Sequence, residues 1–138
     1  MKIKDVMTNE IACVDSSSSA ADAAKKMKDQ NTGTVLVVEG NNIKGIVTDR
    51  QITVKAVADQ KDPRSTPVAD IMTRDIVGCS ENDDIFDALK TMGEKKIRRL
   101  PVVNDSSQLV GVVSLADIAR EMRIGMDSMF DEMTKATK

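Results

Sequence analysis

The stretch GVVSLADI, residues 111–118, has a near-copy earlier in the same sequence, GIVTDRQI at residues 45–52. In both copies a run of apolar, mostly β-branched residues ends at a hydroxyl side chain, and an acid or an amide follows three positions later. This order predicts a buried strand that leads directly into the first turn of a helix. The chain therefore encodes the same strand-to-helix junction twice.

The similarity extends well beyond these eight residues. Residues 6–27, which begin with VMT, align with residues 71–92, which begin with IMT, at a constant offset of 65 positions. The offset persists through TVLVV and RLPVV and becomes 66 at a polar turn, where EGNNIKG is matched to NDSSQLVG. Because turns tolerate insertions, a length change confined to a turn is typical of a duplicated fold.

Both copies predict the same elements in the same order. A short strand (residues 11–14 and 76–79) precedes a helix with apolar residues at helical spacing, namely Ala20, Ala23, Ala24 and Met27, and Ile85, Ala88, Leu89 and Met92. Two strands (34–39 and 43–48; 99–104 and 109–114) and a second helix (49–58; 115–122) follow. We therefore expect an α+β fold of two pseudo-symmetric units, each strand-helix-strand-strand-helix, packed through their sheets.

The domain organisation follows from this repeat. We assign residues 1–60 to the first unit and residues 70–123 to the second. The polar segment between them, 61–69, contains Pro63 and Pro67 and is expected to be a linker. Residues 124–138 are expected to form an amphipathic tail helix.

Composition excludes several classes of protein. The 138 residues carry a net charge of −2 at pH 7, which gives no overall attraction for nucleic acid, and Phe86 and Phe130 are the only aromatic residues. The N-terminus has no apolar core of signal-peptide length, and no apolar run reaches the roughly 20 residues that span a bilayer. We therefore expect a cytoplasmic protein that binds neither nucleic acid nor a membrane.

The sequence gives little support for catalysis or for a metal. It contains no histidine and no glycine-rich phosphate loop, so a serine or cysteine nucleophile lacks its commonest base. Cys13 and Cys79 lie in apolar runs without metal-ligand spacing. We interpret them as small buried hydrophobic residues rather than as a disulfide or metal ligands, and we expect no catalytic residue, no metal site and no required cofactor.

The repeated junction has two interpretations. Ser114 with Asp117, and Thr48 with Gln51, are close to capping boxes, which only satisfy the N–H groups at a helix start. The same geometry also suits a nucleotide. A helix N-terminus with a hydroxyl favours a phosphate, and the Asp117 carboxylate can accept from both vicinal hydroxyls of a ribose.

Two arginines precede a strand of the second copy. Arg98 and Arg99 stand before LPVV in a segment expected to lie beside the junction, and a guanidinium can bond two phosphate oxygens at once. Arg98 can equally be part of an exposed basic rim, whereas the alternation of the strand can direct Arg99 toward a ligand. The first copy has Gly33 and Thr34 at these positions.

The paired units, the VMT and IMT segments, the RRLPVV strand and the GVVSLADI junction resemble a stand-alone tandem pair of cystathionine β-synthase (CBS) domains, also known as a Bateman module. The resemblance covers about residues 4–122. It implies regulatory, non-catalytic binding of an adenosine-containing ligand such as AMP, ADP, ATP, S-adenosylmethionine or NAD, in clefts between the two units. It also implies a homodimer.

The resemblance also implies roles for individual residues. Ser114 is similar to a phosphate-side hydroxyl, Asp117 to the ribose acid and Arg99 to a phosphate ligand. Thr73 and Val77 resemble residues that line the base or sugar pocket, as do Thr8 and Ala12 in the first copy. Which junction each of these segments serves is left open by the sequence.

Gln51 departs from the family pattern, which has an aspartate at this position. A glutamine still caps a helix through its carbonyl oxygen, but it offers no charged acceptor with two oxygens to a diol. The sequence therefore predicts unequal sites, with the tighter one around Ser114 and Asp117. The site around Thr48 is expected to be weak, empty or used differently.

The tail supports an alternative function. Met122, Met126, Met129, Phe130 and Met133 follow helical spacing. This stripe can pack on the protein's own sheet or across its dimer, or it can dock on an unidentified protein partner. In the last case the protein is a structural or adaptor module whose ligand clefts are vestigial.

Overall fold

A computed structural model describes residues 1–136 of the chain and divides it into two compact units. The N-unit consists of Glu10–Val77. The C-unit consists of Met1–Asn9 together with the chain from Gly78 onward. The last two residues of the expected tail helix lie outside the described residues.

The N-unit contains one sheet and its helices. Its elements are β1 (Cys13–Val14), α1 (Ala20–Gln30), β2 (Thr34–Glu39), β3 (Asn42–Thr48) and α2 (Asp49–Ile52), which continues as a π-helical turn, Thr53–Val57. The sheet order is β1-β2-β3, with β1 parallel to β2 and β2 antiparallel to β3. Ser19 caps α1 in a box with Asp22, as its hydroxyl side chain favours.

The C-unit repeats this arrangement. Its elements are β4 (Cys79–Ser80), α3 (Ile85–Lys95), β5 (Arg99–Val103), β6 (Leu109–Ser114) and α4 (Leu115–Ala136), and the sheet order is β4-β5-β6. Arg99 pairs with Ser114 in the register of β5 and β6, as Thr34 pairs with Thr48 in the first sheet. The predicted α+β class with two units of one design is therefore confirmed.

The helices cover their sheets with the residues that the helical spacing indicates. Ala20, Ala23 and Met27 of α1 lie in a core with Val35 and Val47 of the sheet. In the C-unit the equivalent buried residues are Ile85, Ala88, Met92, Leu100 and Val113. Ala24 was expected on the buried face but is exposed, because it lies about 100° around the helix from Ala23.

Each sheet also binds a segment that the sequence places before the other repeat. Thr8 pairs with Val112 of β6 through two backbone hydrogen bonds of 2.9 and 3.0 Å, within the C-unit. Thr73 pairs with Ile46 of β3 through bonds of the same two lengths, within the N-unit. The segment that precedes the first repeat in the sequence therefore belongs to the C-unit. The segment that precedes the second repeat belongs to the N-unit.

Glycine allows this close approach. A Cβ atom on Gly111 would lie 2.7 Å from the backbone oxygen of Thr8, and one on Gly45 would lie 2.9 Å from that of Thr73. Such distances are too short for a methyl group beside a backbone atom. A side chain at either glycine would push the leading segment away from the sheet.

The second helix of each repeat differs in length from the expectation. The helix expected over 49–58 is α-helical only through Ile52, and a π-helical turn then completes it. The helix expected over 115–122 and the separate tail helix are one continuous helix, α4. Gly125 does not interrupt α4, because a glycine costs a helix interior only about 1 kcal/mol.

Replacement of Gly111 by alanine is expected to lower the free energy of unfolding by about 1–3 kcal/mol, because the new methyl group meets the Thr8 backbone. Gly93 of α3 is the matched control, since nothing lies within 4 Å of the position that a Cβ would take there, and Gly93→Ala should stabilise the protein by about 0.5–1 kcal/mol. Urea denaturation measures both. Equal effects of the two substitutions would contradict the role of Gly111.

Candidate functional site

The candidate site of the C-unit is the junction of β6 and α4. The Ser114 hydroxyl oxygen accepts from the backbone N–H of Asp117 at 3.0 Å, which satisfies one N–H group of the first helical turn. The N–H of Leu115 donates to the backbone oxygen of Arg98 at 2.8 Å. These two bonds hold the start of α4 against the beginning of β5.

Pairing places three of the predicted residues on one face of the sheet. Arg99 lies opposite Ser114 in the register, and residues directly opposite in an antiparallel pair share a face. Val112 lies two residues before Ser114 and therefore shares that face, and Thr8 is its partner. Leu100 and Val113 point to the other face and are fully buried.

Asp117 provides the carboxylate of the site. It is half-buried in the first turn of α4, with 24% of its side chain exposed, and its Oδ1 accepts from Arg120 Nη2 at 2.9 Å. Arg120 was not among the residues predicted from the sequence. The signal that could have identified it is the three-residue spacing, which brings opposite charges together on one helix face.

The N-unit has the same junction with different chemistry. Thr48 and Gln51 form a reciprocal capping box, in which Gln51 Oε1 accepts from the Thr48 N–H at 2.9 Å and Thr48 Oγ1 accepts from the Gln51 N–H at 3.2 Å. Gln51 Nε2 also donates to Thr73 Oγ1. The oxygen and the nitrogen of the Gln51 amide therefore both form hydrogen bonds within the N-unit, as the capping interpretation expects.

The charges of the two junctions also differ. Asp49 takes the place of Leu115, and its N–H donates to the Gly33 oxygen at 3.0 Å as that of Leu115 donates to Arg98. The Asp49 carboxylate lies 2.9 Å from the position of a Cβ on Gly33, the residue equivalent to Arg98. The N-unit junction thus has the Asp49 carboxylate beside the position that Arg98 occupies in the C-unit, and it carries Arg50 where the C-unit has Ala116.

The structure distributes the predicted residues between the two units. Thr8, Arg98, Arg99, Ser114 and Asp117 belong to the C-unit, where the VMT segment pairs with β6 through Thr8. Thr48, Thr73, Ala12 and Val77 belong to the N-unit. Ala12 is buried in the N-unit core, and its oxygen accepts from the N–H of Leu36, so its side chain is part of the core packing.

The two cysteines are thiols in half-buried positions. Burial raises the pKa of the Cys79 thiol to about 11, with a smaller contribution from the Asp83 carboxylate. Burial also raises the pKa of Cys13, and the Lys26 ammonium opposes that shift. Within residues 1–136, no three cysteine, aspartate or glutamate side chains are grouped so that they could hold a metal ion.

Comparison with known proteins establishes the family. The CBS domain model matches residues 3–57 and 68–124, so this chain belongs to the CBS domain family, and the internal repeat is a pair of CBS domains. The CBS domain-containing protein YhcV of Bacillus subtilis is 39% identical over 117 residues, which cover 85% of this chain and 82% of YhcV.

Two solved structures share the fold. The CBS domain pair of protein MJ0100, in complex with 5′-methylthioadenosine and S-adenosyl-L-methionine, has a TM-score of 0.79 and 28% identity over 88% of this chain and 95% of that chain. Hypoxic Response Protein I with two coordinated zinc ions has a TM-score of 0.75 and 30% identity over 88% of this chain and 98% of that chain. Within the described part of this chain, no helix is both long and apolar enough to cross a membrane.

The two junctions should respond differently to truncation. Gln51→Ala removes the bonds to Thr48 and Thr73 and should lower the free energy of unfolding by about 1–2 kcal/mol. Asp117→Ala removes an ion pair with an exposed arginine and should cost about 0.5 kcal/mol. Urea denaturation of ligand-free protein measures both. A larger loss of stability in Asp117→Ala than in Gln51→Ala would indicate that the Asp117 carboxylate has a structural role.

Alkylation should reveal the raised pKa of Cys79. At pH 8.5 the thiolate fraction of a thiol with a pKa of about 11 is roughly a hundredfold smaller than that of an ordinary cysteine, so iodoacetamide should modify Cys79 slowly. The rate should rise as the pH approaches 11, because the thiolate is the nucleophile. Peptide mass spectrometry measures the rate, and protein unfolded in urea is the control. Equally fast labelling of folded and unfolded protein would contradict this pKa.

Proposed function

We propose that this chain is a non-catalytic sensor that binds an adenosine-containing ligand at the β6–α4 junction of the C-unit. The observation that carries the proposal is the convergence of Thr8, Arg99, Ser114 and Asp117 on this junction. Membership of the CBS domain family supports it, as does the likeness to the MJ0100 domain pair, which holds two adenosine derivatives.

Asp117 binds the ribose in this proposal. A carboxylate offers about four lone-pair sites, and Arg120 engages Oδ1, so acceptor capacity remains for two vicinal hydroxyls. Each hydrogen bond to a charged acceptor contributes about 1.5–3 kcal/mol. The half-buried position of Asp117 strengthens these bonds relative to those of a fully solvated acid.

Arg99 and Ser114 bind the 5′ substituent of the ligand. Both side chains share a sheet face at the start of α4, where the helix dipole favours an anion. A phosphate there gains a forked interaction with a guanidinium. Among adenosine derivatives, those with a 5′-phosphate should therefore bind more tightly than those with a neutral 5′ group.

The N-unit junction is the weaker site in this proposal. Its glutamine amide is engaged by Thr48 and Thr73, so a ribose would have to displace bonds that the folded unit already makes. The Asp49 carboxylate beside Gly33 repels a phosphate. Binding near one ligand per chain follows from this difference.

Regulation requires that the ligand favours one conformation over another. Only a difference in affinity between two conformations can shift their populations. The start of α4 is suited to this role, because Ser114 and Asp117 both contact the ligand and both determine how the first helical turn is held. The residues of the junction do not identify the protein on which this conformational change acts.

Isothermal titration calorimetry of ligand-free protein tests the proposal. We expect saturable binding near one ligand per chain for AMP, ADP or ATP, and weaker binding for 5′-methylthioadenosine and S-adenosylmethionine, which have no 5′-phosphate. Asp117→Ala should weaken AMP binding by at least about tenfold, because it removes bonds to the ribose. No heat with any of these ligands, from folded protein, would overturn the proposal.

Two matched variants locate the site. Gln51→Ala changes the equivalent position of the N-unit and should leave AMP affinity unchanged. Arg99→Gln should weaken AMP binding and leave 5′-methylthioadenosine binding nearly unchanged, since the two ligands share the nucleoside and differ in the phosphate. If Arg99→Gln weakened both ligands equally, Arg99 would not be the phosphate ligand.

The exposed methionines of α4 favour a second candidate function. In an adaptor, α4 docks on a partner and the two junctions act only as helix caps. The titration separates the candidates, because an adaptor with vestigial sites takes up no nucleotide, and its Asp117→Ala variant retains all its interactions.

A further inference from the structure

The thioether of Met7 packs on the glycine of β6. Met7 lies one residue before Thr8, which pairs with Val112. The Met7 Sδ atom is 2.8 Å from the position that a Cβ on Gly111 would take, so the sulfur fills the space that a side chain at this residue would need. The backbone oxygen of Thr8 is 2.7 Å from the same position. The sulfur and the backbone pairing therefore share one small area of the sheet.

The segment Met1–Asn9 is held to the rest of the C-unit by few hydrogen bonds. Near its start, the N–H groups of Ile3 and Lys4 donate to the turn that precedes α3, both at 2.9 Å. At β6 the pairing of Thr8 with Val112 is an isolated bridge, not part of a longer ladder. Local contacts of this kind open more easily than the central strands of a sheet. The packing beside the bridge therefore has a large influence on whether the bridge is closed.

The sequence repeat provides an internal comparison. Met72 is the equivalent residue of the N-unit, and its Sδ atom is 2.5 Å from the position of a Cβ on Gly45. Met72 is buried in the core of that unit, with 8% of the residue exposed, whereas Met7 is half-buried. The susceptibility of a sulfur-containing side chain to oxidation follows its exposure. A dissolved oxidant therefore reaches Met7 more readily than Met72.

We propose that Met7 is a site of reversible oxidation, and that its sulfoxide releases the segment Met1–Asn9 from β6. The oxidant is a peroxide. The thioether sulfur attacks one peroxide oxygen, the O–O bond breaks and an S–O bond forms. The sulfur loses two electrons and the peroxide gains them, and the second oxygen takes the proton and leaves as water or an alcohol. Methionine sulfoxide reductases reverse this modification.

The new oxygen is an acceptor in a place where the backbone donors are already used. The N–H of Thr8 donates to Val112, and the N–H of Val112 donates to Thr8. A polar group that is packed without a hydrogen-bond partner is unfavourable, so the oxidised side chain moves away from Gly111. Thr8 then leaves the β6–α4 junction. The consequence for a ligand rests on the proposed function, whereas the release of the segment does not.

Hydrogen exchange of ligand-free protein, followed by mass spectrometry, tests the release. After treatment with hydrogen peroxide, the sulfoxide should form at Met7 at least about tenfold faster than at Met72. The Thr8 amide should then exchange at least about tenfold faster, because its bond to Val112 opens. Met7→Leu conserves the volume and has no sulfur, so its Thr8 amide should keep the slow exchange after the same treatment. Circular dichroism verifies that the treated proteins are folded.

Three results of this experiment overturn the proposal. The first is unchanged exchange of Thr8 in protein whose Met7 is fully converted to the sulfoxide. The second is equal acceleration in Met7→Leu, which would assign the effect to another oxidised side chain. The third is the absence of sulfoxide at Met7 when the exposed Met126 is completely oxidised.

Titration with AMP tests the effect on the junction. Oxidised protein should bind AMP at least about fivefold more weakly, and methionine sulfoxide reductase with dithiothreitol should restore the affinity. Met7→Gln, a polar side chain of similar length, should weaken AMP binding without any oxidant. Met122→Gln on the exposed part of α4 is the matched control and should leave the affinity unchanged.

The two measurements separate this proposal from the proposed function. If untreated protein binds no AMP, the proposed function fails, and the exchange of Thr8 still decides whether Met7 controls the segment. If the exchange accelerates on oxidation while AMP affinity stays the same, the link between Met7 and the ligand is wrong. Faster exchange together with weaker and reversible AMP binding would support the whole proposal.

Discussion

Each sheet of this protein is completed by two backbone hydrogen bonds to a segment that precedes the other repeat in the sequence. Thr8 is bound by β6 and Thr73 by β3, and a glycine in the strand leaves room for each backbone. The positions of the candidate site residues depend on this pairing. It brings Thr8 to the junction that contains Ser114 and brings Thr73 to Gln51.

The two junctions show how a duplicated backbone acquires two different chemistries. The register of the strands and the bond that holds the helix start are the same in both units. The differences lie in a few side chains: Arg98 and Arg99 replace Gly33 and Thr34, and Leu115, Ala116 and Asp117 replace Asp49, Arg50 and Gln51. An amide that bonds to its own unit stabilises the fold, whereas a carboxylate held by an exposed arginine keeps acceptor capacity for a ligand.

Helix α4 combines two features that the N-unit helix lacks. It begins at the candidate ligand site, and its far end carries four exposed methionines, Met122, Met126, Met129 and Met133. In the N-unit the equivalent helix ends after a π-helical turn, Thr53–Val57, so it has no comparable extension. The duplication is therefore symmetric in the sheets and asymmetric in the second helix of each unit.

The amino-acid sequence by itself determined the repeat, the element order, the α+β class and the family. These features are local or periodic, since strand alternation, helical spacing and the Ser114–Asp117 cap are encoded within a few residues. The same local patterns do not determine where each helix ends. The expected break between residues 122 and 124 is absent because no residue there is a strong enough helix breaker.

Only the tertiary structure decided which segment serves which junction. Thr8 and Val112 are separated by more than a hundred residues, and either sheet offers the same backbone groups to a leading segment. The engagement of Gln51 with Thr73, and of Asp117 with Arg120, also required coordinates. Side-chain partners depend on distances that a repeat pattern does not contain, because the same spacing in sequence allows both a cap and a ligand site.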